Sequence, residues 1–283
     1  MRIDKKAVWL ITGCSKGLGR ALAQEVLAAG YRVVVTARRM AEVTDLADAH
    51  PDRALAMALD VTDTGQVAAV MKAAEARFGA VDVLVNNAGY GYLAAIEEGE
   101  EAEVHALFET DLFAPIRLIK AVMPGMRARG RGHIVNVSSV GGLVSYPGVG
   151  YYNMVKAGVE AMSDALAQEA GPLGIGVTVV APGAFRTGFR GPESLKVSQT
   201  VIDDYVDTAG KSRARTQAGH GKQQGDPVLG ARAIIAAVQA DQPPVHLLIG
   251  GDALDQLRAK LDGMRRETDA WEAVTRGTDL SAS

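Results

Sequence analysis

A tyrosine and a lysine four residues apart, Tyr152 and Lys156, stand in the stretch YYNMVKAGVEAMSDALAQEA over 151–170. The apolar spacing there predicts a helix, and offsets of i and i+4 put phenol and ammonium on one face. An ammonium beside a phenol stabilises the phenolate and so lowers a pKa of about 10. A tyrosine tuned in this way gives a proton to a carbonyl oxygen or takes one from an alcohol. Tyr151 is five residues from the lysine and falls on a different face. A partner hydroxyl is available at the end of HIVNVSS (133–139), where Ser138 and Ser139 are both candidates. Most pairs of this spacing are surface decoration, so their meaning depends on what else the chain brings to them.

A second cluster is TGCSKGLG at 12–19, where Gly13, Gly17 and Gly19 enclose Ser15, Lys16 and Leu18. Glycines between a strand and a helix allow a tight turn and close approach of backbone to a pyrophosphate at the helix N-terminus. The next strand ends Thr36-Ala37-Arg38-Arg39. A carboxylate there would take the ribose 2′-hydroxyl of NAD, and none is present. Arg38 can instead hold a 2′-phosphate, with Lys16 as a second positive charge, so NADP(H) is favoured over NAD(H). The same turn spells G-x-S-x-G, the nucleophile elbow of serine hydrolases. Only twelve residues precede Gly13, too few for the strands and oxyanion loop that such a Ser15 would need. His220 and His246 lie in no recognisable motif. Cys14 reads as a small buried residue, and no metal-ligand spacing occurs, so no metal is expected.

The elements that must position these groups alternate. Apolar runs at 7–12, 32–37, 53–60, 81–87, 133–139, 176–182 and 245–250 read as strands. Helical patterns fall at 19–30, 64–78, about 102–128 (broken in pattern by Pro115 and Pro124) and 151–170. Strands apolar throughout and spaced by helices give a parallel sheet covered on both faces. The expectation is a Rossmann-type, doubly wound, seven-stranded α/β sheet in a single domain over 1–283. The polar stretch 185–226 breaks the rhythm and is expected to form a lid over the site. The stretch 252–275 predicts an amphipathic helix with Leu254, Leu257, Leu261 and Met264 on the side packed against its own domain. With 48% hydrophobic residues and a net charge of −3, the chain is too apolar for disorder and lacks the basic excess of a nucleic-acid binder. A single cysteine excludes an internal disulfide framework. No signal peptide or membrane span is expected, and the cytoplasm is the default location.

Taken together these motifs resemble the short-chain dehydrogenase/reductase family over about 7–251. Asn86-Asn87-Ala88-Gly89 is similar to its NNAG motif by the cofactor, Asp60-Val61 to its adenine-contacting pair, and Pro182-Gly183 with Thr187 to the stretch flanking the nicotinamide. The resemblance implies a catalytic Ser139, thirteen residues before Tyr152, with Ser138 structural. It also implies that Lys156 tunes Tyr152 and holds the ribose. Asp111 takes the place of the family's asparagine, whose main-chain carbonyl leads through a water to the lysine; that role survives a change of side chain. The implied activity is NADP(H)-dependent hydride transfer between a ketone and a secondary alcohol, in a homodimer or homotetramer. A non-catalytic NADP-binding regulator on the same fold is the alternative, and the intact Ser139, Tyr152 and Lys156 argue against it. Tyr90 to Leu93, Val140 to Val144, Tyr146, Phe185 and part of the insert are the expected substrate walls.

Overall fold

Strand β1 (Val8–Ile11) is buried at every position, as a central parallel strand must be. The computed structural model describes residue 4 and residues 6–280. After β1 come α1 (Gly17–Ala28), β2 (Arg32–Ala37), α2 (Thr44–Asp48), β3 (Ala54–Ala58), α3 (Thr64–Phe78), β4 (Val83–Asn86) and β5 (Gly91–Leu93). Next are α4 (Glu101–Phe108), α5 (Ala114–Arg129), β6 (Gly132–Val137), α6 (Gly150–Ala170) and β7 (Ile175–Pro182). The chain ends with β8 (Leu195–Val197), α7 (Lys211–Ala218), α8 (Pro227–Gln239), β9 (His246–Ile249), α9 (Gly251–Ala270) and α10 (Glu272–Arg276).

Seven strands form one parallel sheet in the order β3-β2-β1-β4-β6-β7-β9, the doubly wound Rossmann arrangement. Successive side chains leave a strand on opposite faces, so β1 feeds two cores. Trp9 and Ile11 join Leu22 and Val26 of α1 and Ile234 and Val238 of α8. Val8 and Leu10 join Val67 of α3 and Leu118 and Val122 of α5 on the other face. The reversal of strand order between β1 and β4 opens a crevice at the carboxyl ends of the strands. The glycine loop, β4 and β6 all deliver residues there.

The pattern expected as one helix over 102–128 is α4 and α5 joined by a π-helical turn at Glu109–Phe113. Pro115 lies in the first turn of α5, where proline's fixed φ suits a helix. The wide turn carries Asp111 inward, and it is buried. Such turns recur at functional sites.

The 185–226 stretch is attached rather than loose. Its β8 pairs in parallel with β5, a second, two-stranded sheet that sequence patterning does not announce. An acidic segment then anchors it. Glu98 accepts from the Ile202 amide (3.1 Å) and pairs with Arg213 (2.8 Å). Glu100 accepts from the Gln199 and Thr200 amides and from the Ser198 hydroxyl. Glu97 accepts from the Tyr205 hydroxyl, and Glu103 pairs with Lys196.

The C-terminal helix departs from expectation. It forms, but of α9 and α10 only Ala253 is buried; Leu254, Leu261, Met264 and Trp271 are exposed. The helix leaves the domain after its first turns, so its apolar stripe has no domain surface to cover.

Candidate active site

Thr12, at the end of β1, ties the glycine loop to the segment after β4. Its hydroxyl accepts the amides of Asn87 and Ala88, both at 2.9 Å, and Asn87 returns its side-chain amide to the Thr12 carbonyl at 2.8 Å. Gly13 and Gly17 take φ of +72° and +63°, the left-handed region that side chains disfavour. A Cβ on Gly19 would collide with the Gly13 carbonyl and the Asn87 amide. The loop is therefore a bare backbone cradle ending at the positive N-terminus of α1, which suits a diphosphate. That cradle fits the nicotinamide dinucleotide that the sequence implies.

One cavity of about 1590 Å³ runs from this cradle to the far side of Tyr152. Every residue expected at the cofactor, from Gly13 to Thr187, lines it, as do Ser139, Tyr152 and Lys156. Arg38 enters it with no charged or hydrogen-bonding partner among the described residues, whereas Lys16 is held by Glu193 of the insert at 2.6 Å. Asp60 turns its carboxylate back on Thr62, at 2.9 Å from the amide, and gives its own amide to Gln66. Of the expected substrate walls, Tyr90 to Leu93, Val140, Gly141, Tyr146 and Phe185 line the cavity. Gly142, Leu143 and Val144 do not, because the 3-10 turn at Val140–Gly142 folds this segment back against the Lys156 backbone. No histidine lines the cavity among the described residues, so Ser15 has no base. Burial pushes the Cys14 thiol up to about 12, which keeps it inert.

The catalytic candidates converge from β6 and α6. Ser139 caps the turn after β6, accepting the Gly141 amide at 3.0 Å, and hydrogen-bonds Tyr152. Ser138 donates to the Lys156 carbonyl at 3.3 Å, a packing role. Tyr151 points elsewhere, its hydroxyl on the Ile96 carbonyl at 2.6 Å. The Lys156 ammonium lies 5.6 Å from the centre of the Tyr152 ring and donates to the Val137 carbonyl at 3.3 Å.

Two expectations change here. Asp111 does not wait behind a relay: its carboxylate is 3.1 Å from the Lys156 ammonium, with side-chain exposures of 0% and 7%. It also accepts the Tyr90 amide at 3.1 Å, and it stands behind Lys156 without lining the cavity. The π turn explains this, since it swings the carboxylate inward. Burial pulls the Lys156 ammonium down, but Asp111 and then Tyr152 hold it above its ordinary value. Tyr152 is raised, not lowered. Burial and the Asp111 charge outweigh the Lys156 ammonium and the Ser139 hydrogen bond.

Sequence reasoning missed two positioning residues. Buried Asn153 donates to the Gly141 carbonyl at 2.7 Å and accepts the Tyr146 amide at 3.2 Å, which clamps the turn that carries Ser139. Asp252, in the first turn of α9, accepts the Ala184 amide at 2.8 Å and holds the turn after β7. A polar residue adjacent to the catalytic tyrosine was the only signal for Asn153.

A doubly wound sheet, a glycine cradle at its switch point and a serine–tyrosine–lysine set define a nicotinamide-dependent oxidoreductase. The short chain dehydrogenase family model matches residues 7–197. The oxidoreductase BOA17 of Botryotinia fuckeliana is 35% identical over 269 residues, covering 95% of this chain and 97% of that protein. A 3-oxoacyl-[acyl-carrier-protein] reductase of Vibrio cholerae is 38% identical over 187 residues, 66% of this chain and 76% of that protein. The crystal structure of a short-chain dehydrogenase from Streptomyces avermitilis superposes with a TM-score of 0.91 at 45% identity, covering 97% of this chain and all 100% of that one. The chain belongs to the short-chain dehydrogenase/reductase family, and it is an NAD(P)-dependent enzyme acting on CH–OH or C=O groups. Among the described residues no helix is long and apolar enough to cross a membrane.

Proposed function

We propose that this enzyme is an NADP(H)-preferring carbonyl reductase in which Tyr152 is the proton donor. The observation that carries the reading is the convergence of Ser139, Tyr152 and Lys156 on the cavity that the glycine cradle opens, with Tyr152 raised above its ordinary value by burial and so a protonated donor. Bound nicotinamide supplies the hydride. Ser139 donates a hydrogen bond to the carbonyl oxygen and orients it. Tyr152 delivers its proton to that oxygen. Lys156, charged and anchored between Asp111 and the Val137 carbonyl, balances the phenolate left behind and holds the ribose. Asp111 is thus a positioning residue rather than one that touches substrate. The insert, fastened by Glu98 and Glu100 of the segment before α4, walls one side of the cavity. The reading places the enzyme in the cytoplasm as a homodimer or homotetramer, which the exposed Phe113 and Met154 support as self-association surface. A panel of ketones assayed by NADPH absorbance tests the reading. Absence of turnover across short, long and aromatic ketones would refute it.

The direction has a pH signature. Reduction needs the protonated phenol, and that form is present below the folded pKa, which burial holds above 10.0. The kcat/KM for reduction should stay level from about pH 6 to about pH 9 and fall only at higher pH, while alcohol oxidation should rise with pH. A reduction rate that declines through neutrality would place the donor elsewhere.

NADP preference rests on Arg38, which enters the cavity unpaired among the described residues, more than on Lys16, which Glu193 already engages. Arg38→Asp replaces a charge-assisted donor by a repelling carboxylate, so the NADPH-to-NADH ratio of kcat/KM should fall by more than about tenfold, roughly 1.4 kcal/mol. An unchanged ratio would assign discrimination to another residue.

A further inference from the structure

Cations on the insert are mostly matched. Lys196 has Glu103 at 2.6 Å, Lys211 has Asp207 at 2.8 Å, Arg213 has Glu98 at 2.8 Å, and Arg186 donates to the Gln223 carbonyl at 3.0 Å. Arg190, Arg215 and Lys222 differ, and of these three only the two arginines line the cavity. Neither guanidinium has a carboxylate or a hydrogen-bond acceptor among the described residues, and both line the cavity. They also belong to one locality. A Cβ built on Gly219 would stand 2.7 Å from Arg190 Nη1 and 3.3 Å from the Arg215 carbonyl, so Arg190 lies along the last turn of α7. Helix α7 turns Ser212, Arg215 and Thr216 toward the cavity, at the i, i+3, i+4 spacing of one helix face. The Thr216 hydroxyl is spent on the Ser212 carbonyl at 2.9 Å.

This basic corner is joined to the reacting centre. Phe189, the neighbour of Arg190, has its ring centre 5.9 Å from that of Tyr152. The same cavity is lined by apolar and aromatic side chains, among them Leu93, Val140 and Phe185, as well as by Arg190 and Arg215. Guanidiniums unpaired among the described residues are donors without acceptors, the arrangement that carboxylates and phosphates satisfy with paired hydrogen bonds.

We infer that Arg190 and Arg215 form an anion subsite for the substrate's far end. The substrate is then a ketone or secondary alcohol with an apolar body and a terminal carboxylate or phosphate. The inference rests on the reductase reading for what happens at the near end. It deepens that reading by naming the substrate class.

The test uses 9-oxodecanoate and its methyl ester, which differ in the terminal charge and one methyl group, and reads binding by calorimetry with and without NADP+. The wild-type protein should bind the acid at least about tenfold more tightly than the ester. In Arg190→Gln and Arg215→Gln that advantage should disappear, with ester affinity unchanged and the circular dichroism spectrum preserved. Arg215 is exposed on α7, so its variant carries the test should Arg190→Gln fold poorly. Equal wild-type affinities, binding of neither compound, or an acid preference kept in both variants would overturn the proposal. Affinities for NADPH and NADH are measured alone in each variant. A parallel loss for both, with acid preference intact, would assign the guanidiniums to the cofactor's diphosphate and likewise overturn it. Because binding is read without chemistry, an acid preference in a protein that turns over no ketone would sink the reductase reading and spare the subsite.

Discussion

Tyr152→Phe should turn over ketones about 10²–10⁴-fold more slowly than the wild type, with NADPH affinity nearly unchanged. The substitution removes a single atom, the one that carries the transferable proton. The ring contact with Phe189 at 5.9 Å and the Lys156 ammonium 5.6 Å from the ring centre both survive. Ser139 loses its hydrogen-bonding partner but keeps its place, because the Gly141 amide still holds its hydroxyl. The control is Tyr151→Phe. It breaks the bond to the Ile96 carbonyl and should cost about 1 kcal/mol of stability without slowing turnover. Steady-state rates and cofactor fluorescence titrations on both variants decide the matter. An active Tyr152→Phe beside an inactive Tyr151→Phe would reverse the assignment.

Asp111→Ala should destabilise the folded enzyme by about 3–5 kcal/mol at neutral pH, the usual cost of leaving one member of a buried ion pair behind. Lys156 has 7% side-chain exposure and, among the described residues, no other carboxylate within ion-pairing distance, so the ammonium would be left in a largely buried place without a counter-charge. Asp111→Asn separates charge from packing. Its amide oxygen can still accept from the Lys156 ammonium, so stability should fall less, and neutral-pH efficiency should stay within about tenfold. What moves is the pH profile. The carboxylate raises both Tyr152 and Lys156, so its removal lets each lose a proton more readily. The alkaline loss of reduction should therefore begin at lower pH in the asparagine variant, as a property of the tyrosine–lysine pair. Urea denaturation and the pH dependence of kcat/KM are the measurements. A wild-type profile in a folded Asp111→Asn would mean that the carboxylate is electrostatically silent.

The main sheet was legible because its strands are apolar on both faces and its helices are periodic, two signals that tertiary context reinforces. The glycine cradle was legible because positive φ and close backbone approach admit one residue type. Strands β5 and β8 were not, since three residues are too few to show alternation, and their pairing joins segments about a hundred positions apart. For Asp111 the neighbourhood of Lys156 was legible and the contact was not. A one-residue widening of a helix turn decides where that side chain points, and no residue type announces a π turn. The direction of the Tyr152 shift was missed for a related reason. Spacing reveals the helpful ammonium four residues away but not the extent of burial, nor a carboxylate arriving from another helix. The apolar stripe of the C-terminal helix showed that a helix forms, and could not show that the domain offers it no seat.

The way the insert is attached has a consequence for how this enzyme could acquire new substrates. Strand β8 docks on β5 through main-chain bonds, which any sequence can make, and Glu98 and Glu100 grip the insert largely by its backbone amides. The receiving side therefore recognises the course of the chain more than its side chains. Arg190 and Arg215 can drift to other residues without disturbing the sheet, the glycine cradle or the tyrosine–lysine pair. Divergence of specificity is thereby uncoupled from maintenance of the chemistry, and a transplanted insert that keeps the backbone path inherits a working reaction centre.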